Sequence, residues 1–465
     1  MAAGAPTERP LSPSQEVSRR TPICNPVGMT TGAGQRTDAL RVALEDETNT
    51  RVTYLVDSTK VFIETGGCVP ANGGDAELAL ALIPALRGGR PVELDLPRSA
   101  TGAANLPSLQ AIFGSWLDAT PVEVSGPASE STSRGTQVAS FFSGGVDSFY
   151  TALRHAPELD ALIFVHGFDI PIDDQALGSE AIMHARMAAN ALGKELIEVR
   201  TDLRKYLPLG EDWGFTHGAA MAAVAQSLRA RFGKVYIPST YTYKDMFPWG
   251  SHPMTDPLWS GAVEVVHDGA DATRMDKLAH LADQQVAADH LRVCWENRGG
   301  RFNCCECEKC TRTMIALRVL GVLDDFKTFD RPLDLNRVRF GVLRDTAQTT
   351  FTRQVLRQIE AAGTDPDLAK ALRWRLRVGP ARHAISTQRG RVLAKLPTRS
   401  TGDKDPLAAA LKDAPAGLRE MALLPRSEPM PQRVQHALFV LGSWSIEERP
   451  AGFELTRERV AALVR

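Results

Sequence analysis

QVASFFSGGVDSFYTALRH, residues 137–155, decides the fold. Its first six residues read as a short apolar strand, and from about Ser148 the pattern changes to that of a helix. Ser143, Gly144 and Gly145 form the turn between them. Paired glycines allow left-handed backbone angles and let the main chain come close to a ligand. A turn that opens a helix also presents unpaired amides and the positive end of the helix dipole, which suits a phosphate. The candidate phosphate contacts are therefore Ser143, Gly144, Gly145, Val146, Asp147 and Ser148, with Asp147 as the candidate for Mg2+. Asp147 and Ser143 are expected at a surface turn, where their removal should spare the fold. Neither Gly-x-x-x-x-Gly-Lys-Ser/Thr nor a Gly-x-Gly-x-x-Gly after a strand occurs, which argues against a Walker-type NTPase and a dinucleotide dehydrogenase.

Outward from this stretch, strands and helices alternate. ALIFVH (161–166), 195–199 and KVYIPS (234–239) read as buried strands, and 180–192 and 218–231 as the helices between them. That alternation predicts an α/β fold with a doubly wound parallel sheet. Upstream, residues 41–126 read as a small α+β domain: strands at 51–56, 60–64, 91–95 and 121–124, with helices at 76–87 and 107–118. Residues 126–135 (GPASESTSRG) read as a linker, and 1–40, rich in Pro, Gly, Ser and Thr, as a mobile tail. Helices are also expected at 271–281 and 310–322. The nucleotide-binding domain spans 135–330, and 340–465 is expected to be mainly helical, with 373–395 strongly basic.

Five of the seven cysteines fall between Cys294 and Cys310. Cys294, nine residues, then Cys304-Cys305-Glu306-Cys307-Glu308-Lys309-Cys310 supplies a C-x-x-C-x-x-C run plus one distant thiol. Four thiolates satisfy a closed tetrahedral zinc site, so Cys294, Cys304, Cys307 and Cys310 are the expected Zn2+ ligands. Cys305 is the surplus residue and an alternative to Cys304. An iron–sulfur cluster is the competing reading.

FFSGGVDS resembles the PP-loop of the ATP pyrophosphatase superfamily, which has an adenine nucleotide alpha-hydrolase-like fold and cleaves ATP to AMP and pyrophosphate. That resemblance implies that the loop holds the leaving phosphates and that adenine lies across the second strand, near Phe164 and His166. The cysteine spacing and the following Arg-bearing helix (CTRTMIALRVLG, with Arg312) resemble the queuosine-pathway 7-cyano-7-deazaguanine synthases. The resemblance covers about residues 135–325. It implies an ATP-dependent ligase that adenylates a small-molecule carboxylate and passes it to an amine or ammonia. Where those synthases carry a Pro-x-Arg-Asn substrate element, this chain has GFTHGAAMAAV (214–224), so the substrate half is rewritten. A tRNA-modifying PP-loop enzyme, and a nucleotide-sensing or conjugating subunit of an antiviral system, are the alternatives.

Other polar residues are candidates for the same chemistry. Arg274 and Lys277, one helical turn apart, are placed to neutralise a leaving pyrophosphate. His217 opens a helix and is a candidate substrate contact. The segment STYTYKDMFPWGSHPMTDP (239–257) follows the fourth strand at the same sheet edge as the glycine turn. Its aromatic and polar mixture assigns substrate choice to it, with Trp249 and His252 as the contacts.

Composition bounds the rest. At 465 residues, with 43% hydrophobic and 23% charged residues, the chain is globular in character. A net charge of −1 gives no overall electrostatic footprint for nucleic acid, although a local basic patch is compatible with it. No apolar run is long enough to span a bilayer, and the first residues carry no apolar core of a signal peptide, so a cytoplasmic protein is expected. For association, a homodimer or an operon-encoded protein partner is the expectation.

Overall fold

The computed structural model describes residues 38–66, 68–128, 135–207, 213–343 and 346–395. The expected N-terminal tail lies outside the described residues except for its last three positions, and most of the expected linker and everything after 395 lie outside them as well.

Ten strands form one sheet. The first half of the chain supplies β1 (Leu40–Glu47), β2 (Arg51–Val56), β3 (Thr59–Gly66), α1 (Gly74–Gly88), β4 (Val92–Leu94), α2 (Ala100–Leu117) and β5 (Val124–Ser125). Next come β6 (Gln137–Phe141), α3 (Val146–Arg154), β7 (Ala161–His166), α4 (Gln175–Ala191), β8 (Glu195–Thr201), α5 (Leu203–Tyr206), α6 (Trp213–Ser227) and β9 (Phe232–Pro238). The remainder is β10 (Glu264–Asp268), α7 (Arg274–Ala282), α8 (Gln285–His290), α9 (Glu308–Val319), α10 (Leu335–Phe340), α11 (Thr346–Ala362) and α12 (Pro366–Lys395).

The strand order is β10-β9-β6-β7-β8-β3-β2-β1-β4-β5. The five strands from β10 to β8 are all parallel, and their order reverses between β6 and β9. Open parallel sheets bind ligands at such a reversal, beyond the carboxyl ends of the strands. The fold is thus α/β with a mostly parallel sheet, as the alternating pattern predicts.

Residues along each strand alternate between two cores. Ala139, Phe141, Ile163, Val235 and Ile237 face one side, where α1, α2 and α6 supply the cover. Phe142, Leu162, Phe164, Tyr236 and Val266 face the other, in a core shared with α3, α4, α7 and α9 and extended by α11 and α12. Near-continuous apolar strands such as ALIFVH follow from burial on both faces. Helix α6 is apolar nearly all round because it is buried between the sheet and α1.

The strands of the N-terminal segment extend this same sheet. β3 pairs antiparallel with β8, from Ile63 opposite Thr201 to Gly66 opposite Glu198. The Thr201 hydroxyl donates to the Phe62 carbonyl at 2.6 Å, and the Phe62 amide donates to Asp202 at 3.0 Å. Two strands escape the sequence reading. β1 (LRVALEDE) ends in acids on an exposed stretch, and β10 (EVVHD) is short, with only two strongly β-forming residues.

One close approach fixes the loop after β9 onto α6. A Cβ at Gly218 would lie 1.9 Å from the Gly250 carbonyl oxygen. Gly218→Ala therefore sets better helix propensity, worth about 1 kcal/mol, against overpacking that costs about 1–3 kcal/mol. The expected outcome is a net loss of stability in urea unfolding, and a stabilised variant would contradict this packing.

Candidate functional site: a cationic cleft beside a four-cysteine centre

The turn after β6 is built as the glycines require. Gly144 has φ +74°, in the left-handed region, and its carbonyl accepts the Arg292 amide at 2.8 Å. Gly145 occupies the cap position of α3, and no side chain caps that helix. The Ser143 hydroxyl accepts from the Gly145 amide at 3.4 Å, and the Ser148 hydroxyl donates to the Gly145 carbonyl at 3.0 Å. Ser143, Gly145, Val146, Asp147 and Ser148 line a cleft that also takes in the ends of β7 and β9.

Three cations face this turn: Arg274 at the start of α7, Arg292 two residues before Cys294, and Lys309 in the first turn of α9. Arg274 donates to Asp147 at 3.0 Å and to Thr313 at 3.4 Å, which leaves its buried Nε without a partner. Arg292 donates to the Asn297 side chain at 2.6 Å, and its Nε is likewise buried and unpaired. Burial lowers the pKa of both guanidiniums. Cations grouped beside a helix N-terminus make this part of the cleft suited to an anion.

Asp147 is not a free surface carboxylate. It takes Arg274 on one oxygen and the buried Lys277 ammonium on the other, each at 3.0 Å. Burial opposes its ionisation, but Lys277 and Arg274 outweigh that and bring its pKa to about 2. The expectation that its removal spares the fold is therefore corrected. Lys277 itself lies behind the cleft wall, where it also donates to the Ser239 carbonyl.

The cleft is also lined by aromatic and apolar side chains, Phe168, Trp213, Tyr241, Met246 and Trp249, with His217 and Ser251. Trp249 seats against Gly214, where a Cβ would meet its ring at 2.8 Å. His217 donates from Nδ1 to the Trp213 carbonyl (2.9 Å) and accepts the Ser251 amide on Nε2 (3.2 Å). Burial keeps this ring neutral, so it ties the 239–257 loop to α6 while forming part of the wall. Phe164 lines the cleft as expected.

Besides Lys277, two candidate histidines fall outside the cleft lining. His166 is buried under α4, with its Nε2 on the Pro171 carbonyl at 3.1 Å and its ring against Gly178. His252 is wholly buried, edge-on to Trp116 at 5.0 Å, and burial together with nearby His267 lowers its pKa to about 3. It supports the loop from beneath: Asp256 accepts the His252 amide, His267 Nδ1 and the Ser251 hydroxyl. Ser239, Thr240, Tyr241 and Ser251 are the polar residues of this loop that line the cleft, and His252 is not among them.

The four cysteines converge. The sulfurs of Cys294, Cys304, Cys307 and Cys310 all lie within 4.8 Å of one another, and all four residues are buried. Cys304–Cys310 and Cys307–Cys294 are 3.9 and 4.0 Å apart. A tetrahedral ion with bonds of about 2.3 Å requires about 3.8 Å. Amides of Glu306 and Cys307 point at Cys304, and that of Cys310 points at Cys307, which stabilises thiolates. Hydrogen bonding from Cys304 holds Cys294 well below the ordinary thiol range, whereas hydrogen bonding to Cys294 holds Cys307 and Cys310 above it. A divalent cation removes that conflict, so the donor set fits zinc. Cys305 turns away with φ +57°, toward Asn303 and Asp330, and burial pushes its thiol up to about 11, which settles the choice in favour of Cys304.

Sequence reading missed Arg292, Lys309 and Asn303. The Asn303 side chain accepts the Val293 and Cys294 amides and donates to the Leu291 carbonyl, joining the two cysteine-bearing segments. Their position beside the cysteines was the available clue.

Two measurements test this site. Asp147 has a folded pKa below its ordinary 3.8, so its contribution is complete above about pH 4 and is lost as pH falls toward about 2. Asp147→Asn should therefore be less stable than wild type at neutral pH by about 3 kcal/mol, with the gap narrowing across that acid window in thermal melts; equal melts at every pH would contradict the ion triad. Cys307→Ser should lose bound zinc and solubility together; a folded protein without metal, or iron with sulfide in metal analysis, would contradict the zinc assignment. Comparisons with protein-family models, with curated proteins and with solved structures give no match for this chain.

Proposed function

We propose that this chain is an ATP-dependent ligase that forms AMP and pyrophosphate. One observation carries the reading: an uncapped helix N-terminus behind a glycine turn shares a cleft with three cations and a set of aromatic side chains. A triphosphate would lie over Ser143–Ser148 with Arg274, Arg292 and Lys309 around it, and adenine would rest near Phe164. Mg2+ would arrive with the phosphates, because both oxygens of Asp147 are already committed to cations.

Against the aromatic lining a small carboxylate would sit near Trp213, Trp249 and Tyr241. Its oxygen attacks the α-phosphorus of ATP and the bond to pyrophosphate breaks, with the arginines taking up the developing charge. An amine or ammonia then attacks the acyl carbon and AMP leaves. Positioning and charge neutralisation carry most of such chemistry. The zinc centre takes no part in these steps: four protein ligands close it, and its role is to hold Arg292 against Gly144.

Incubation with ATP, Mg2+ and a small-molecule extract should release AMP and pyrophosphate. Arg292→Ala should reduce the rate by about 100-fold. Trp249→Ala should slow the complete reaction while ATP affinity stays near wild type. Release of ADP from the wild type would overturn the proposal.

A further inference from the structure

The C-terminal helices carry a charge pattern that the proposed ligase chemistry does not use. Helix α12 holds eight Lys or Arg against one Asp in a chain whose net charge is −1. Its inner face is mainly apolar, with Leu368, Ala369, Ala371 and Leu372 buried beside one arginine, Arg375, and Phe351, Val355 and Ile359 of α11 are buried as well. The outer face reads Lys370, Arg373, Trp374, Arg377, the i, i+3, i+4, i+7 spacing of a single stripe, and all four residues are exposed. On α11 the exposed charged residues are Arg353, Arg357 and Glu360. Glu360 pairs with Arg373 at 2.8 Å, so the two stripes lie side by side. Among the described residues, no ion pair engages Arg353, Arg357, Lys370 or Arg377. Trp374, 42% exposed, stands within this field.

We infer that the α11–α12 face binds single-stranded nucleic acid. Guanidinium groups on adjacent helices match a phosphate backbone, and a solvent-facing indole between them offers a base a stacking surface worth about 1–3 kcal/mol in such proteins. A purely acidic protein partner would use the arginines but leave the tryptophan without a role. A membrane surface would call for an apolar stripe on the exposed face, and Trp374 stands there among cations. The inference is independent of the ATP cleft: none of these residues lines it.

Fluorescence anisotropy with labelled oligouridylate and oligothymidylate of about 20 nucleotides tests this on the full chain. Wild type should bind either strand, with affinity falling about 50-fold between about 50 and 200 mM salt if about four phosphates are neutralised. Trp374→Ala should weaken binding about 10-fold and Trp374→Phe should largely restore it. Arg353→Glu with Arg357→Glu and Arg377→Glu should abolish binding while circular dichroism and AMP formation remain at wild-type levels. The inference fails if wild type does not bind the strands, if the variants bind as wild type does, or if phosphatidylserine vesicles or polyglutamate bind more tightly than either strand.

Discussion

Asp147 holds two cations at once, and the cleft exists because of that. Its oxygens draw the start of α7 and the buried Lys277 against the start of α3. Lys277 in turn reaches the Ser239 carbonyl at the end of β9, so one carboxylate ties together both sides of the point where the strand order reverses. A lone buried ammonium would be costly, and the pairing turns that cost into a fixed geometry. Arg274 is thereby fixed in the cleft wall, with its Nε buried and without a hydrogen-bond partner.

The cysteine centre is the second brace. Cys294 lies two residues from Arg292, whose amide bonds the Gly144 carbonyl, so the cysteine knuckle and the glycine turn meet at one short segment. Asn303 closes that segment from the other side. Metal binding would then order both the knuckle and the cationic wall. The N-terminal strands serve the same architecture differently. By pairing β3 with β8 they lengthen the sheet, and α1 and α2 cover its second face together with α6.

Much of this was legible in the residues. ALIFVH matched its strand because burial on both faces erases the period-two pattern, and the Gly-Gly turn announced a strand–helix joint that only glycine could make at φ +74°. The cysteine spacing identified the right four thiols. What failed were assignments that depend on which way a side chain turns. His166 and His252 look like ligand contacts in the chain, yet one faces α4 and the other lies beneath the loop. Asp147 reads as a surface residue until α7, more than a hundred positions away, brings two cations to it. Arg292 and Lys309 carry no motif of their own; only the folded knuckle turns them toward the glycine turn.

The central claim is that the cleft is a nucleotide triphosphate site, and a crystal structure with a non-hydrolysable ATP analogue tests it most directly. The account predicts triphosphate density over Gly144 and Gly145, within hydrogen-bonding reach of Arg274, Arg292 and Lys309, with adenine beside Phe164. An ordered analogue bound elsewhere, or an empty cleft at saturating analogue, would contradict it.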